Sequence, residues 1–246
     1  MISEIPEHEA TGDIARSYAE IRQRLGLPVV NLIWRHLAAL GHLEESWQRV
    51  KTRLPALNAQ AARLHHTART LADRCPPLPS LPQGEIARGI LASYERGNSM
   101  NLAMVRMVMG CAFTTEANPV LPDAPTSIPP VPRFSELPIC LREIVDRLAA
   151  AGPGATTGIR PTMWVHLALE PDFLRAAEAP IAQLVALPDF RAAHAKLAAL
   201  PPRPENTDLP KTMETALDRF NQRISEMLLT GLCVARCKQA TMETRR

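Results

Sequence analysis

Two asparagines near the middle of a long apolar segment are the side chains best placed to do chemistry. Asn98 and Asn101 lie in GEIARGILASYERGNSMNLAMVRMVMGCAF, on one helical face with Tyr94 and several apolar residues. Burying an unpartnered amide costs about 1–3 kcal/mol, and Gly97 costs a helix interior about 1 kcal/mol. Either an amide faces a polar pocket, with Asn98 the better candidate, or a kinked helix holds both amides structurally.

A pair of histidines in a repeated phrase is the second candidate. Residues 34–38 read WRHLA and residues 164–168 read WVHLA, so His36 and His166 lie 130 positions apart. Near neutral pH a histidine can act as a general base or carry a proton. The alternative is a buried imidazole bonded to a main-chain carbonyl, with the two tryptophans as core anchors.

The elements that would position these residues are helices. Alternating β-branched and aromatic runs are missing, whereas apolar residues recur with helical spacing along much of the chain. The predicted helices cover 13–25, 138–151 and, as two long elements, 84–115 and 211–237, and further helices begin near 29 and 162. We therefore expect an all-α chain.

Proline-rich segments divide the chain into two halves with one plan. The segments 75–84 and 201–210 each precede a long helix, and a third segment has seven prolines between 118 and 138, where a helix cannot continue. Apolar positions repeat at the same offset of 130 as the phrase. We predict two pseudo-repeats packed as an internal pseudo-dimer with a pocket between them; chance likeness between Ala- and Leu-rich helices is the alternative. The predicted division is a first repeat over 1–117, a linker over 118–137 and a second repeat over 138–246.

Composition narrows the class of protein. A net charge of +3 over 246 residues, without a dense basic cluster, argues against a nucleic-acid partner. The most apolar run, 100–113, is interrupted by Arg106 and is too short to span a bilayer, and the start lacks the apolar core of a signal peptide. We expect a soluble cytoplasmic protein that binds a small molecule and has no membrane partner; a homodimer is left open. No metal or organic cofactor is indicated, because the usual ligand and phosphate-loop motifs are missing.

Three segments resemble the group I 2-haloacid dehalogenases, the DehI type. They are GDIARSYAEIRQRLGLPVVNLIWRHLAAL, YERGNSMNLAMV and RPTMWVHLALEPDFL, which follow the family's order over most of the chain. The resemblance implies an all-α fold of two pseudo-repeats with the pocket between them. It further implies that an Asp activates water, which displaces halide from Cα of a 2-haloacid without a covalent ester, while an Asn of the long first-half helix holds that water.

Carried over residue by residue, the resemblance places Asn98 at the water-holding Asn. It places Thr162 at a Ser and Met163 at the catalytic Asp, although methionine cannot take a proton from water. No Asp or Glu occurs between Asp146 and Glu170, and losing a general base typically costs 10²–10⁴-fold in rate. The candidate catalytic residues are Asn98, Thr162 and His166. The candidate substrate-binding residues are Val29, Leu32, Tyr94, Asn101, Met163, Leu217 and Asn221.

Three functions fit this pattern. The first is a DehI-like enzyme that acts on a different, more apolar small molecule, such as a biosynthetic intermediate. The second is a dehalogenase whose base is relocated to Asp146, His166 or Glu170. The third is a non-catalytic ligand-binding or interaction protein on the same scaffold. A more distant alternative is an AhpD-like redox protein, for which Cys233 and Cys237 have the wrong spacing.

Overall fold

The computed structural model describes residues 2–112, 119–202 and 209–237. Over these ranges the chain forms ten α-helices and no β-strand, which confirms the all-α prediction. None of these helices is long and apolar enough to cross a membrane. The helices are α1 (Gly12–Leu25), α2 (Leu32–Ala39), α3 (Leu43–Lys51), α4 (Leu54–Ala72), α5 (Glu85–Val108), α6 (Ile139–Ala151), α7 (Thr162–Leu167), α8 (Pro171–Ala186), α9 (Pro188–Ala198) and α10 (Lys211–Ala235). Two 3-10 turns cover Phe134–Glu136 and Pro153–Thr157.

The predicted helices are found, with differences at their ends. α2 begins at Leu32 rather than near 29, because the Asn31 side chain caps it by accepting a hydrogen bond from the Ile33 amide at 3.3 Å. α5 ends at Val108, and Gly110 follows with a left-handed φ of 75°. The predicted end of α5 at 115 lies outside the described residues.

The two long helices α5 and α10 pack against each other at the centre of the fold, and α4 packs against both. All residues from Gly97 to Val108 of α5 are buried, as are those from Arg223 to Thr230 of α10. A helix buried on all sides has no solvent face on which to place polar residues. Each polar side chain in these two stretches must therefore find a partner inside the protein or face a cavity.

Both copies of the repeated phrase are in the core. Trp34 on α2 and Trp164 on α7 are fully buried, and the Trp34 ring meets Trp47 edge to face at a centroid distance of 5.7 Å. These tryptophans are core anchors. Helices α1 to α5 precede the 119–137 segment and α6 to α10 follow it, each set ending in its longest helix. The division into two repeats stays a prediction.

The two histidines of the phrase each bond to a segment that lies outside the α-helices. His36 Nδ1 is bonded to the Ser3 carbonyl oxygen at 2.6 Å, and His166 Nε2 to the Pro129 carbonyl oxygen at 2.8 Å. Because a carbonyl oxygen only accepts, each of these ring nitrogens carries a hydrogen. In both phrases, the histidine ring thus donates a hydrogen bond to a main-chain carbonyl.

A buried ion pair fixes α10 against the turn Pro153–Thr157. Arg223 Nη1 and the Gly154 amide both donate to Glu226 Oε2, at 3.1 and 2.6 Å. Arg223 Nη2 donates to the Ala149 carbonyl oxygen at 2.8 Å. Desolvation by burial raises the pKa of Glu226, while Arg223 acts against that shift. Since both charges are buried, loss of either partner would leave the other uncompensated.

This contact predicts the effect of a single methyl group. A Cβ at Gly154 would collide with the Glu226 carboxylate, so Gly154→Ala should lower the free energy of unfolding by about 1–3 kcal/mol. Gly89→Ala on α5 is the matched control, because its Cβ would lie 3.6 Å from Ile128, an ordinary contact. The control should be neutral or stabilising by up to about 1 kcal/mol. Urea denaturation measures both; equal stability of the two variants would contradict the prediction.

Candidate functional site

A small cavity lies where α2, α5, α7 and α10 meet, and we call it the inner chamber. It has a volume of about 30 Å³. Its lining residues are Asn31, Leu32, Tyr94, Asn98, Ile159, Pro161, Thr162, Met163, Phe220, Arg223, Ile224 and Met227. Five of the predicted site residues therefore line the inner chamber: Leu32, Tyr94, Asn98, Thr162 and Met163.

Three polar groups that line the chamber lack a hydrogen-bond partner in the part of the chain that the structure describes. The Tyr94 hydroxyl and Arg223 Nε are buried without a hydrogen bond, and the buried Asn98 amide makes none with the described residues. Burial also raises the pKa of Tyr94, so its hydroxyl keeps its proton and can donate. A cavity of about 30 Å³ can hold an ordered water, which needs 2–4 polar partners. These three groups supply such partners.

None of the described residues that line the inner chamber carries a carboxylate. Met163 is buried, and its Sδ faces α10, 3.9 Å from where a Cβ on Gly231 would lie. The nearest acids along the chain are placed elsewhere. Asp146 is half exposed and accepts from Arg160 Nε at 2.9 Å, while the Glu170 carboxylate lies beside Gly84. Neither acid lines the chamber, so neither is placed to activate a water there.

His166 lies behind the chamber wall. Its ring meets the Tyr94 ring edge to face at a centroid distance of 5.8 Å, and its Nε2–H is committed to the Pro129 carbonyl. The remaining nitrogen, Nδ1, is buried without a partner and is the basic, unprotonated position of the neutral ring. Desolvation by burial lowers the pKa of His166. His166, a predicted catalytic residue, therefore does not line the inner chamber, and its ring is held by the Pro129 carbonyl instead.

The remaining predicted binding residues are not on the chamber wall. Asn101 Nδ2 donates to the Gly97 carbonyl of its own helix at 2.5 Å, and α5 runs without a break through this region. Asn221 accepts from Arg106 Nε at 3.2 Å and donates to the Ala198 carbonyl at 2.6 Å. Leu217 is fully buried in the core. Both side-chain atoms of the Asn221 amide are thus bonded within the protein, whereas Asn101 Oδ1 is buried without a partner among the described residues.

A larger cleft, the outer cleft, opens next to the inner chamber. Its volume is about 670 Å³. Leu32 and Thr162 line both spaces and so form the boundary between them. Two segments outside the α-helices, 2–9 and 128–135, supply much of the wall, and Val29 also lines it. Five pairs of lining residues stand 130 positions apart: Ile2 and Pro132, Glu4 and Phe134, Val30 and Arg160, Leu32 and Thr162, and Arg35 and Val165.

Arg35 is the residue of this region that the sequence did not single out. It lies on α2, is buried, and its Nη2 donates to Thr162 Oγ1 at 3.0 Å. Its Nη1 is paired with the Glu4 carboxylate at 3.0 Å, and its Nε has no partner. Its position inside the repeated phrase, next to His36, was the available signal. Arg223, which lines the inner chamber, was not predicted from the sequence either.

The cysteines offer no redox centre of the AhpD kind. The sulfur of Cys237 donates to the Cys233 carbonyl at 3.6 Å. Burial raises the pKa of the Cys233 thiol to about 12 and also raises the pKa of Cys237. Because the thiolate is the reactive form, both thiols are poor nucleophiles at neutral pH.

The helices and their arrangement define an all-helical dehalogenase-type fold. Solved structures of D-2-haloacid dehalogenases share it: a mutant enzyme aligns with a TM-score of 0.73 and 16% identity over 96% of this chain and 95% of that chain. A mutant in complex with D-2-CPA and a complex with L-LA each align with a TM-score of 0.72 and 16% identity, over 95% of this chain and 94% of theirs. No protein-family model and no curated protein matches the sequence. The chain thus has the fold of D-2-haloacid dehalogenases.

The buried imidazole of His166 predicts a pH effect on stability. Its pKa is below the ordinary 6.5. Below that pH, the unfolded chain therefore binds a proton at this ring more readily than the folded chain does. This contribution to stability is complete above pH 6.5 and is lost as the pH falls towards the lower pKa of the folded state. His166→Gln, which can still donate to Pro129, should lose less unfolding free energy than the wild type between pH 7.5 and pH 5.

Chemical denaturation at the two pH values measures the difference. The exposed His66→Gln variant is the matched control and should keep the wild-type pH dependence. His194 shares the lowered pKa, for the same reason of burial, so part of the dependence should persist in His166→Gln. An unchanged dependence in His166→Gln would contradict the burial of a neutral ring.

Proposed function

We propose that the protein is an enzyme of small-molecule metabolism. It would catalyse another reaction, on a more apolar substrate, instead of hydrolytic 2-haloacid dehalogenation. The substrate would enter the outer cleft and present its reacting end at the boundary formed by Leu32 and Thr162. Asn98, with its free amide, would hold a water or a substrate oxygen in the inner chamber. The observation that carries the proposal is a chamber that keeps the amide and hydroxyl groups but has Met163 and no carboxylate on its wall.

The chamber itself supports a change of chemistry. A water held by the Asn98 amide, the Tyr94 hydroxyl and Arg223 Nε meets mainly hydrogen-bond donors, which stabilise negative charge but remove no proton. The thioether of Met163 adds polarisable apolar surface at the position where the resemblance implies a carboxylate. Such a site is better suited to stabilising a developing oxyanion than to activating water.

Wild-type protein should therefore release no halide from either enantiomer of 2-chloropropionate. The physical reason is the missing general base, whose loss typically costs 10²–10⁴-fold in rate. Halide assays from pH 6 to pH 10, against buffer alone, check this. Release above the buffer rate that disappears in His166→Gln would instead identify a dehalogenase with a relocated base, for which the free Nδ1 of His166 is the available group.

Restoring a carboxylate gives the converse prediction. Met163→Asp should gain measurable halide release from 2-chloropropionate, because the new carboxylate would lie on the same wall as Asn98. Met163→Asn is the matched control: it has nearly the same shape but cannot accept the proton, so it should remain inactive. Circular dichroism establishes folding of both variants. A folded Met163→Asp protein that binds the haloacid and releases no halide would contradict the assignment of position 163.

A non-catalytic ligand-binding protein is the second candidate, and the size of the inner chamber favours it. A volume of about 30 Å³ is far below the roughly 300–1,000 Å³ of typical ligand pockets. The adjoining outer cleft, at about 670 Å³, is large enough for a metabolite. Incubation with a pool of small metabolites, followed by mass spectrometry, separates the two: an enzyme changes a component of the pool, whereas a binding protein returns its ligand unchanged.

A further inference from the structure

We infer that Arg35 is a carboxylate-binding site in the outer cleft and that Glu4 of the same chain occupies it as an internal placeholder. The inference deepens the proposed function by naming the group that the ligand presents to the cleft. It rests on the outer cleft being a ligand site, and it holds whether or not the bound molecule is then transformed.

Arg35 is built into the site as an anion receptor. Only 9% of the residue is exposed, and a buried guanidinium requires anionic or polar partners. Two of its three nitrogens are engaged, Nη2 with Thr162 Oγ1 at 3.0 Å and Nη1 with Glu4 at 3.0 Å, while Nε is buried without a partner. The planar fork of an arginine matches a carboxylate with two parallel hydrogen bonds. Arg35 therefore has donors to spare for an incoming anion.

Glu4 is held loosely enough to leave. Its side chain is 34% exposed, and Arg35 is its ion-pair partner among the described residues. Because the Glu4 carboxylate reaches water, it can be hydrated when another anion replaces it at Arg35, and the buried guanidinium then stays paired. The backbone around Glu4 is fixed independently, since the Ile5 amide donates to the Arg35 carbonyl at 3.1 Å and the Tyr18 hydroxyl donates to the Ile5 carbonyl at 2.9 Å. Rotation of the Glu4 side chain alone would open the site.

The other carboxylates that line the cleft are paired differently. Glu7 accepts from the Val30 amide at 2.7 Å and pairs with Arg22 at 3.0 Å. Glu9 pairs with His8 at 3.3 Å. Neither of these carboxylates is paired with a buried arginine at the boundary to the inner chamber. Glu4 thus mimics a ligand carboxylate at a position where such a group would also meet Thr162.

The position of Thr162 orients the ligand. Its Oγ1 accepts from Arg35, so its own hydrogen is available to donate to the same carboxylate. Thr162 lines both the outer cleft and the inner chamber. A ligand anchored by its carboxylate at Arg35 and Thr162 therefore lies with its neighbouring carbon at the chamber entrance, towards Asn98. This fits a small monocarboxylate better than a dicarboxylate, because Arg223, the cation on the chamber wall, is already paired with Glu226.

The experiment is isothermal titration calorimetry with propionate, using propionamide as the uncharged ligand of the same shape. Glu4→Gln should bind propionate about fivefold more tightly than the wild-type chain, because the competing carboxylate is gone. Propionamide should show no such gain. Glu9→Gln is the matched control: it removes one charge from the same segment and the same cleft, and it should bind propionate like the wild type.

Thr162→Val and Arg35→Lys, if folded, should each weaken propionate binding by at least about fivefold. Equal propionate affinity in Glu4→Gln and wild type would overturn the inference, as would an equal gain in Glu9→Gln, which would indicate a general charge effect. Undetectable binding by every variant would overturn it as well. These outcomes concern binding alone, so they are separate from a failure of Met163→Asp to release halide, which tests the reaction.

Discussion

The packing of α5 against α10 is the contact on which the rest of the structure depends. Both helices are buried on all sides where they meet, so a polar group placed there has no access to bulk water. The side-chain NH₂ groups of Asn101 and Asn221 each donate to a main-chain carbonyl. Asn98 does not, and the inner chamber lies beside it. The chamber is therefore the place where two closely packed helices leave a polar group without a partner.

Helical periodicity and proline positions were enough to predict the all-α class and the approximate helix ranges. They also pointed to Asn98, because an amide in the middle of an apolar stripe needs a partner or a pocket. Spacing alone could not separate Asn98 from Asn101, since both lie on one helical face. The difference depends on which amide reaches the backbone of its own helix, and side-chain rotamers of that kind are set by tertiary packing.

Arg35 shows what local sequence cannot give. An arginine between a tryptophan and a histidine reads as an ordinary solvated charge, and such residues are rarely buried. Its burial arises from Thr162, 127 positions away, and from Glu4 in a segment without regular secondary structure. Neither partner is visible in the pattern around Arg35. Similarly, fold alone does not specify the reaction, since a scaffold keeps its helices while the groups in its pocket change.

The two histidine ties have an evolutionary consequence. His36 and His166 bond to the segments 2–9 and 128–135 through the main-chain oxygens of Ser3 and Pro129. Every amino acid supplies such an oxygen. Mutations in the segments 2–9 and 128–135 can therefore replace nearly any side chain facing the cleft without loosening the attachment. Main-chain atoms attach these segments to the helices, whereas their side chains face the cleft. Ligand selectivity can therefore change through mutation while the helical fold stays intact.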